Sequence, residues 1–86
     1  LELVEQALRM LPDEPIIYET RGQVFLKQRK FQLAIADFER AMASDKMRAD
    51  AHAGLAVAYQ ELGNQPKAAY HQSASERLRG SESDAE

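Results

Sequence analysis

The chain has no cysteine, and only four glycines and three prolines among its 86 residues. Without cysteine there is no disulfide scaffold, no cysteine-built zinc site and no thiol nucleophile. Long apolar runs are also missing. Nothing approaches the roughly 20 consecutive apolar residues that a membrane helix needs, and the opening residues lack the layout of a secretory leader. A cationic excess is absent too: the net charge of -3 supplies no electrostatic reason to expect nucleic acid or an anionic membrane as partner. What is present suits a folded domain. At 44% hydrophobic and 29% charged, the composition is too apolar for a disordered chain, and its length allows one small domain at most.

The scarce glycines and prolines act as punctuation. Pro12 and Pro15 bracket a first break, Arg29-Lys30 a second, Ser44-Asp45-Lys46 a third, and Gly63-Asn64-Gln65-Pro66 a fourth. Between breaks the apolar residues recur three and four apart, the spacing of one helix face. Leu1, Val4, Leu8 and Leu11 form the first stripe, which Pro12 ends because the residue before a proline is pushed out of the helical region. Asp13 is placed to cap a second helix that has Pro15 in its first turn. Phe31, Ala34, Ile35, Phe38, Ala41 and Met42 mark a third helix, and Leu55, Ala56, Tyr59 and Leu62 a fourth, with Asp45 or Asp50 as its cap. Gly63 fits the left-handed position after a helix. A fifth helix is expected from Pro66 to about Arg79, followed by a disordered acidic tail over 80–86. No segment alternates with period two. Five helices with short connections predict stacked antiparallel hairpins in an all-α fold.

A shift of about 34 residues lays Gly22 over Ala56, Phe25 over Tyr59, Ala34 over Ala68 and Tyr18 over His52. It also lays Val4, Ala7 and Leu8 over Phe38, Ala41 and Met42. Such a period marks helical repeats in which each hairpin completes its core by stacking on the next. Here the chain resembles the tetratricopeptide repeat family, whose first helix carries an aromatic, leucine, glycine and tyrosine at fixed spacing. The matching residues are Tyr18, Gly22 and Phe25, then His52, Leu55, Ala56 and Tyr59. Ala34, Phe38 and Ala41 supply the second-helix signature, which Ala68 begins again in the last helix. The resemblance implies a right-handed solenoid of about two and a half repeats. Its parts are half a repeat over 1–12, a repeat over 13–46 and a degenerate repeat over 47–79.

Some residues depart from that pattern. Arg21 stands where leucine is usual, so its stem is expected to cover apolar surface while the guanidinium stays wet. Arg29 replaces a turn glycine. Gln72 and Ser75 replace the last helix's aromatic and alanine, and a competing stripe of Tyr70, Ala74 and Leu78 could rotate that helix. A polar outer face suits the end of an array. Residues 1–11 read as a second helix whose hairpin partner lies upstream, leaving an apolar stripe that could join copies of the chain.

Little in the sequence points to catalysis, and no cofactor is expected. His52 and His71 are the only imidazoles, nineteen residues apart with no third donor in pattern, so metal binding is not expected and His52 reads as a packed or core-edge histidine. The serines lack a histidine–acid arrangement, there is no phosphate loop, and the acidic residues read as solvated surface. Lys27, Arg29 and Lys30 form the densest basic patch, too small and too poor in aromatics for nucleic acid.

Surfaces remain. The resemblance implies a concave groove lined by Ile16, Glu19, Gln23, Leu26 and Lys27, then Asp50, Ala53, Val57, Gln60 and Glu61, receiving a peptide or helix of a partner protein. Repeats of this family that clamp chaperone C-terminal carboxylates carry lysine and asparagine four apart on these helices. Glu19 with Gln23, and Ala53 with Val57, argue against that subtype. The expected role is a non-catalytic interaction scaffold. The alternatives are the accessory tail of a larger peptidase, transferase or phosphatase, or a self-association module. The lack of cysteine fits the cytoplasm or a bacterial periplasm.

Overall fold

The computed structural model describes residues 2–10 and 14–84. Its elements are α1 (Glu2–Met10), α2 (Pro15–Lys27), α3 (Phe31–Ala41), α4 (Asp45–Glu61) and α5 (Gln65–Asp84), with no strand among the described residues. The all-helical class and the five helices therefore stand. Leu11, Pro12 and Asp13, expected to end one helix and cap the next, lie outside the described residues.

Two of the turns are built alike. After α2, Arg29 takes a left-handed backbone (φ 60°) and the Lys30 N–H donates back to the Phe25 carbonyl at 2.9 Å. After α4, Gly63 does the same (φ 80°), with the Asn64 N–H donating to the Tyr59 carbonyl at 2.8 Å. Each is a six-to-one closure that satisfies a carbonyl the helix end would leave open. Glycine adopts that backbone freely, whereas arginine does so at a cost.

Helix starts differ from expectation by a few residues. α4 begins at Asp45 behind Ser44, so Asp45 is a first-turn residue and Asp50 lies well inside the helix. α5 begins at Gln65, and the Asn64 side-chain oxygen accepts from the Lys67 N–H at 3.2 Å, which makes Asn64 the cap. At its far end α5 continues through Gly80 to Asp84, and the last two residues of the tail expected over 80–86 lie outside the described residues. Gly80 is not among the residues of positive φ, and nothing approaches the space its side chain would fill. The helical hydrogen bonds therefore run on through it, at the modest cost of a glycine inside a helix.

Packing follows the chain order. α2 lies against α3 and α4, α3 against α4, α4 most extensively against α5, and α1 against α2. The three-residue connections after α2, α3 and α4 leave those helices no option but to fold back on one another. The core is drawn from α2 to α4: Phe25, Ala34, Ile35, Phe38, Ala41, Ala51, Leu55 and Ala58 are buried together. Phe38 is fully buried with its ring between two glycines. A β-carbon at Gly22 would lie 2.8 Å from that ring, and one at Gly54 would lie 2.4 Å from it. Gly22, Ala34 and Ala56 are buried as expected. Gly54, which the repeat pattern does not single out, makes the tightest of these approaches.

Arg21 and Asp37 overturn two expectations. The Arg21 guanidinium is mostly withdrawn from water, its side chain 21% exposed. Its Nε and Nη2 donate to the two oxygens of Asp37 at 2.7 and 2.9 Å, and Asp37 is only 2% exposed. Asp37 is therefore a buried anion rather than part of a solvated face, and its paired, forked geometry is what makes such burial tolerable. The ring faces of Tyr18 and Phe25 flank the same guanidinium.

α5 settles between its two possible stripes. Ala68, Ala74 and Ser75 are buried and His71 and Leu78 half-buried, while Tyr70 is 60% exposed. The Ser75 hydroxyl donates to the Ala49 carbonyl at 3.0 Å, so a polar residue fills a buried alanine position without an unpaired group.

Candidate functional site

The residues of the expected groove are divided between two clefts and the surface beside them. Its α4 half is gathered with α5 into a cleft of about 320 Å³, where Ala53, Ala56, Val57 and Gln60 face Gln72, Ser75, Glu76 and Arg79. Val57 is half-exposed and lines the cleft beside Ala53 and Ala56, with polar side chains from both helices around them. Asp50 sits at the rim, its carboxylate accepting from Arg79 at 2.9 Å across the two helices. Glu61 is exposed at the end of α4.

The α2 half is dispersed. Ile16 belongs to a second, more apolar cleft of about 320 Å³ between α1 and α2, shared with Leu3, Val4, Ala7, Ile17 and Thr20. Glu19 accepts a hydrogen bond from Gln23 at 3.2 Å, so these two polar side chains occupy each other. Leu26 packs against the core cluster, and Lys27 is exposed. Leu3 and Met10, at 81% and 77% exposure, extend the apolar surface along α1.

The residues named above for packing are buried or half-buried. Phe25, Ala34, Phe38, Ala41, Ala56 and Ala68 are buried, Gly22 is buried beneath the Phe38 ring, and Tyr18 and Tyr59 are half-buried against the core.

Sequence spacing separates His52 from His71; the fold joins them. Their Nδ1 atoms lie 2.8 Å apart across the α4–α5 interface. His71 stacks on Tyr59, with centroids 5.6 Å apart and planes 5° from parallel, and Tyr70 meets both imidazoles edge-on. Burial lowers the pKa of each ring below the ordinary histidine value, His52 further through Arg48 and Arg77, and His71 further through His52 and Lys67. Among the described residues no group of three or more metal-ligating side chains occurs, and no helix is long and apolar enough to cross a membrane.

The chain matches no family model, no curated protein and no solved structure.

Proposed function

We propose that this chain is a non-catalytic protein-interaction module of tetratricopeptide type, binding a peptide or helix of a partner in the α4–α5 cleft. The observation that carries the reading is the cleft itself. Half-exposed Val57 lies between amide and charged side chains of two helices, an apolar anchor with polar groups able to fix orientation. The tetratricopeptide arrangement is supported by the matched turns at Arg29 and Gly63, and by small residues buried at the crossings. The flat outline, 37 × 34 × 16 Å over the Cα atoms, also suits two helix layers about 10 Å apart. Glu19, engaged with Gln23, leaves no basic clamp for a C-terminal carboxylate, which argues against a chaperone tail as the guest.

A library of displayed peptides selected against the 86-residue chain tests this. Selected peptides should shift the amide signals of Ala53, Val57, Gln60 and Gln72, and Val57→Glu should weaken them at least tenfold. Shifts confined to other helices, or binding indifferent to Val57→Glu, would overturn the assignment.

A second reading has its own observation. The apolar α1–α2 cleft, with Leu3, Met10 and Ile16 exposed, supports self-association through α1. Concentration-dependent mass in light scattering, abolished by Leu3→Glu, is its expected signature.

A further inference from the structure

The contact between His52 and His71 has a consequence that depends on protons. Two Nδ1 atoms 2.8 Å apart form a hydrogen bond only if one carries a proton and the other offers a lone pair. A single proton between the rings satisfies both. Two protons on the facing nitrogens do not fit, because each would then be a donor, and two cationic rings force that arrangement with like charges in contact.

The surroundings oppose even the first added charge. Arg48 from α4 and Arg77 from α5 act on His52, and Lys67 from α5 acts on His71, all cations. The uncharged neighbours are the rings of Tyr59 and Tyr70. On the adjoining α2 and α3, Arg21 and Asp37 are engaged with each other. Arg48 also pairs with Asp45 at 3.0 Å, which moderates its effect; the neighbouring cations still make the pair a poor host for a metal ion, although the two imidazoles are close enough to suggest one.

We infer that the His52–His71 pair is a proton-sensitive latch holding α5 on α4: closed while the rings share one proton, and released when both become cationic. His71 lies parallel to Tyr59, and α5 carries Ala68 and Ala74 into the same interface, so lifting the helix parts the rings. The bonds left behind, from Ser75 to Ala49 and from Arg79 to Asp50, sit toward the far half of α5 and do not replace that contact.

The sign follows from the lowered values. The closed form binds fewer protons than the open one, so the latch is at full strength above the ordinary histidine value of about 6.5. It weakens as pH falls from there through the lowered values of the pair. If one net proton is taken up on opening, α5 opens about tenfold more readily at pH 5.5 than at pH 7.5; if two are taken up, about a hundredfold. Because α5 forms one wall of the α4–α5 cleft, release would also dismantle that cleft, a corollary that rests on the proposed binding function.

Amide hydrogen exchange on the full 86-residue chain tests the latch without any ligand. Between pH 7.5 and 5.5, protection factors corrected for intrinsic exchange should fall ten- to a hundredfold in α5 while those in α3 hold. His71→Gln, which keeps a hydrogen-bonding side chain but leaves only His52 to titrate, should reduce the α5 pH dependence below that of the parent, to about tenfold or less. Protection in α5 that stays constant or falls only in step with α3 would overturn the proposal. So would a folded His71→Gln variant with an unchanged profile. The wild-type comparison decides the matter alone if that variant does not fold, and none of these outcomes depends on a peptide binding the cleft.

Discussion

Adding one methyl group at Gly54 should destabilise the protein even though alanine is the better helix former. Inside α4 the change by itself favours folding by about 0.8–1 kcal/mol, the difference in helix propensity. Against that, the new β-carbon would stand 2.4–2.6 Å from three atoms of the Phe38 ring, far inside contact distance. The ring cannot retreat. It is fully buried, and on its other side lies Gly22, where there is equally little room, 2.8 Å to a β-carbon position. Overpacking of a closed core costs about 1–3 kcal/mol, and a ring clamped from both sides belongs at the upper end of that range. The net expectation for Gly54→Ala is a loss of about 1–2 kcal/mol. In urea titrations followed by circular dichroism this lowers the midpoint by about 1 M, with the slope unchanged. Two controls isolate the cause. Gly80→Ala, in a helix with nothing near the added carbon, should be neutral or stabilising. Phe38→Leu should cost less in the Gly54→Ala background than in the parent, a coupling of about 0.5–3 kcal/mol. A Gly54→Ala protein as stable as the parent would refute the reasoning, because the ring would then have somewhere to go.

The remaining predictions concern the buried ion pair and the turns. Arg21→Ala, which strands the nearly inaccessible Asp37 carboxylate, should cost about 3–5 kcal/mol. Asp37→Ala leaves an arginine that still reaches water and should cost about 1.5–3 kcal/mol. Equal or reversed costs in thermal or urea unfolding would contradict the burial asymmetry. At the two left-handed turn positions the same chemistry should act with opposite signs. Gly63→Ala should lose about 1 kcal/mol, and Arg29→Gly should gain up to about 1 kcal/mol, less whatever the Arg29 guanidinium contributes over the Phe31 ring. A destabilised Arg29→Gly would place more weight on that ring contact than on the backbone.

Much of the local architecture was legible in the residues. Helical spacing, the prolines and Gly63 located all five helices, and the shift of about 34 residues picked out Gly22, Ala34 and Ala56 as close-contact positions. The errors at helix ends have local causes. Asn64 competes with Pro66 as the start signal of α5, and the polar, acidic composition of the chain's end does not reveal that α5 runs on through Gly80, whose backbone does not turn left-handed. The candidate groove was legible only in part. Its α4 members share a face and meet α5, whereas Ile16 and Leu26 are claimed by neighbours that helical periodicity on α2 does not reveal.

What the amino-acid sequence determined by itself is therefore whatever depends on one helix or one turn: apolar periodicity, backbone handedness, and small residues where the repeat demands them. Tertiary structure alone decided which polar groups meet. Arg21 finds Asp37, His52 finds His71 and Ser75 finds the Ala49 carbonyl, each pair on different helices. Such meetings depend on how far each helix is rotated about its own axis relative to its neighbour. A rotation of one residue, about 100°, carries a side chain from an interface into water. That angle is set by the packing of Phe38 between Gly22 and Gly54 and of Ala68 and Ala74 on α4, a collective property of the core that no single segment encodes.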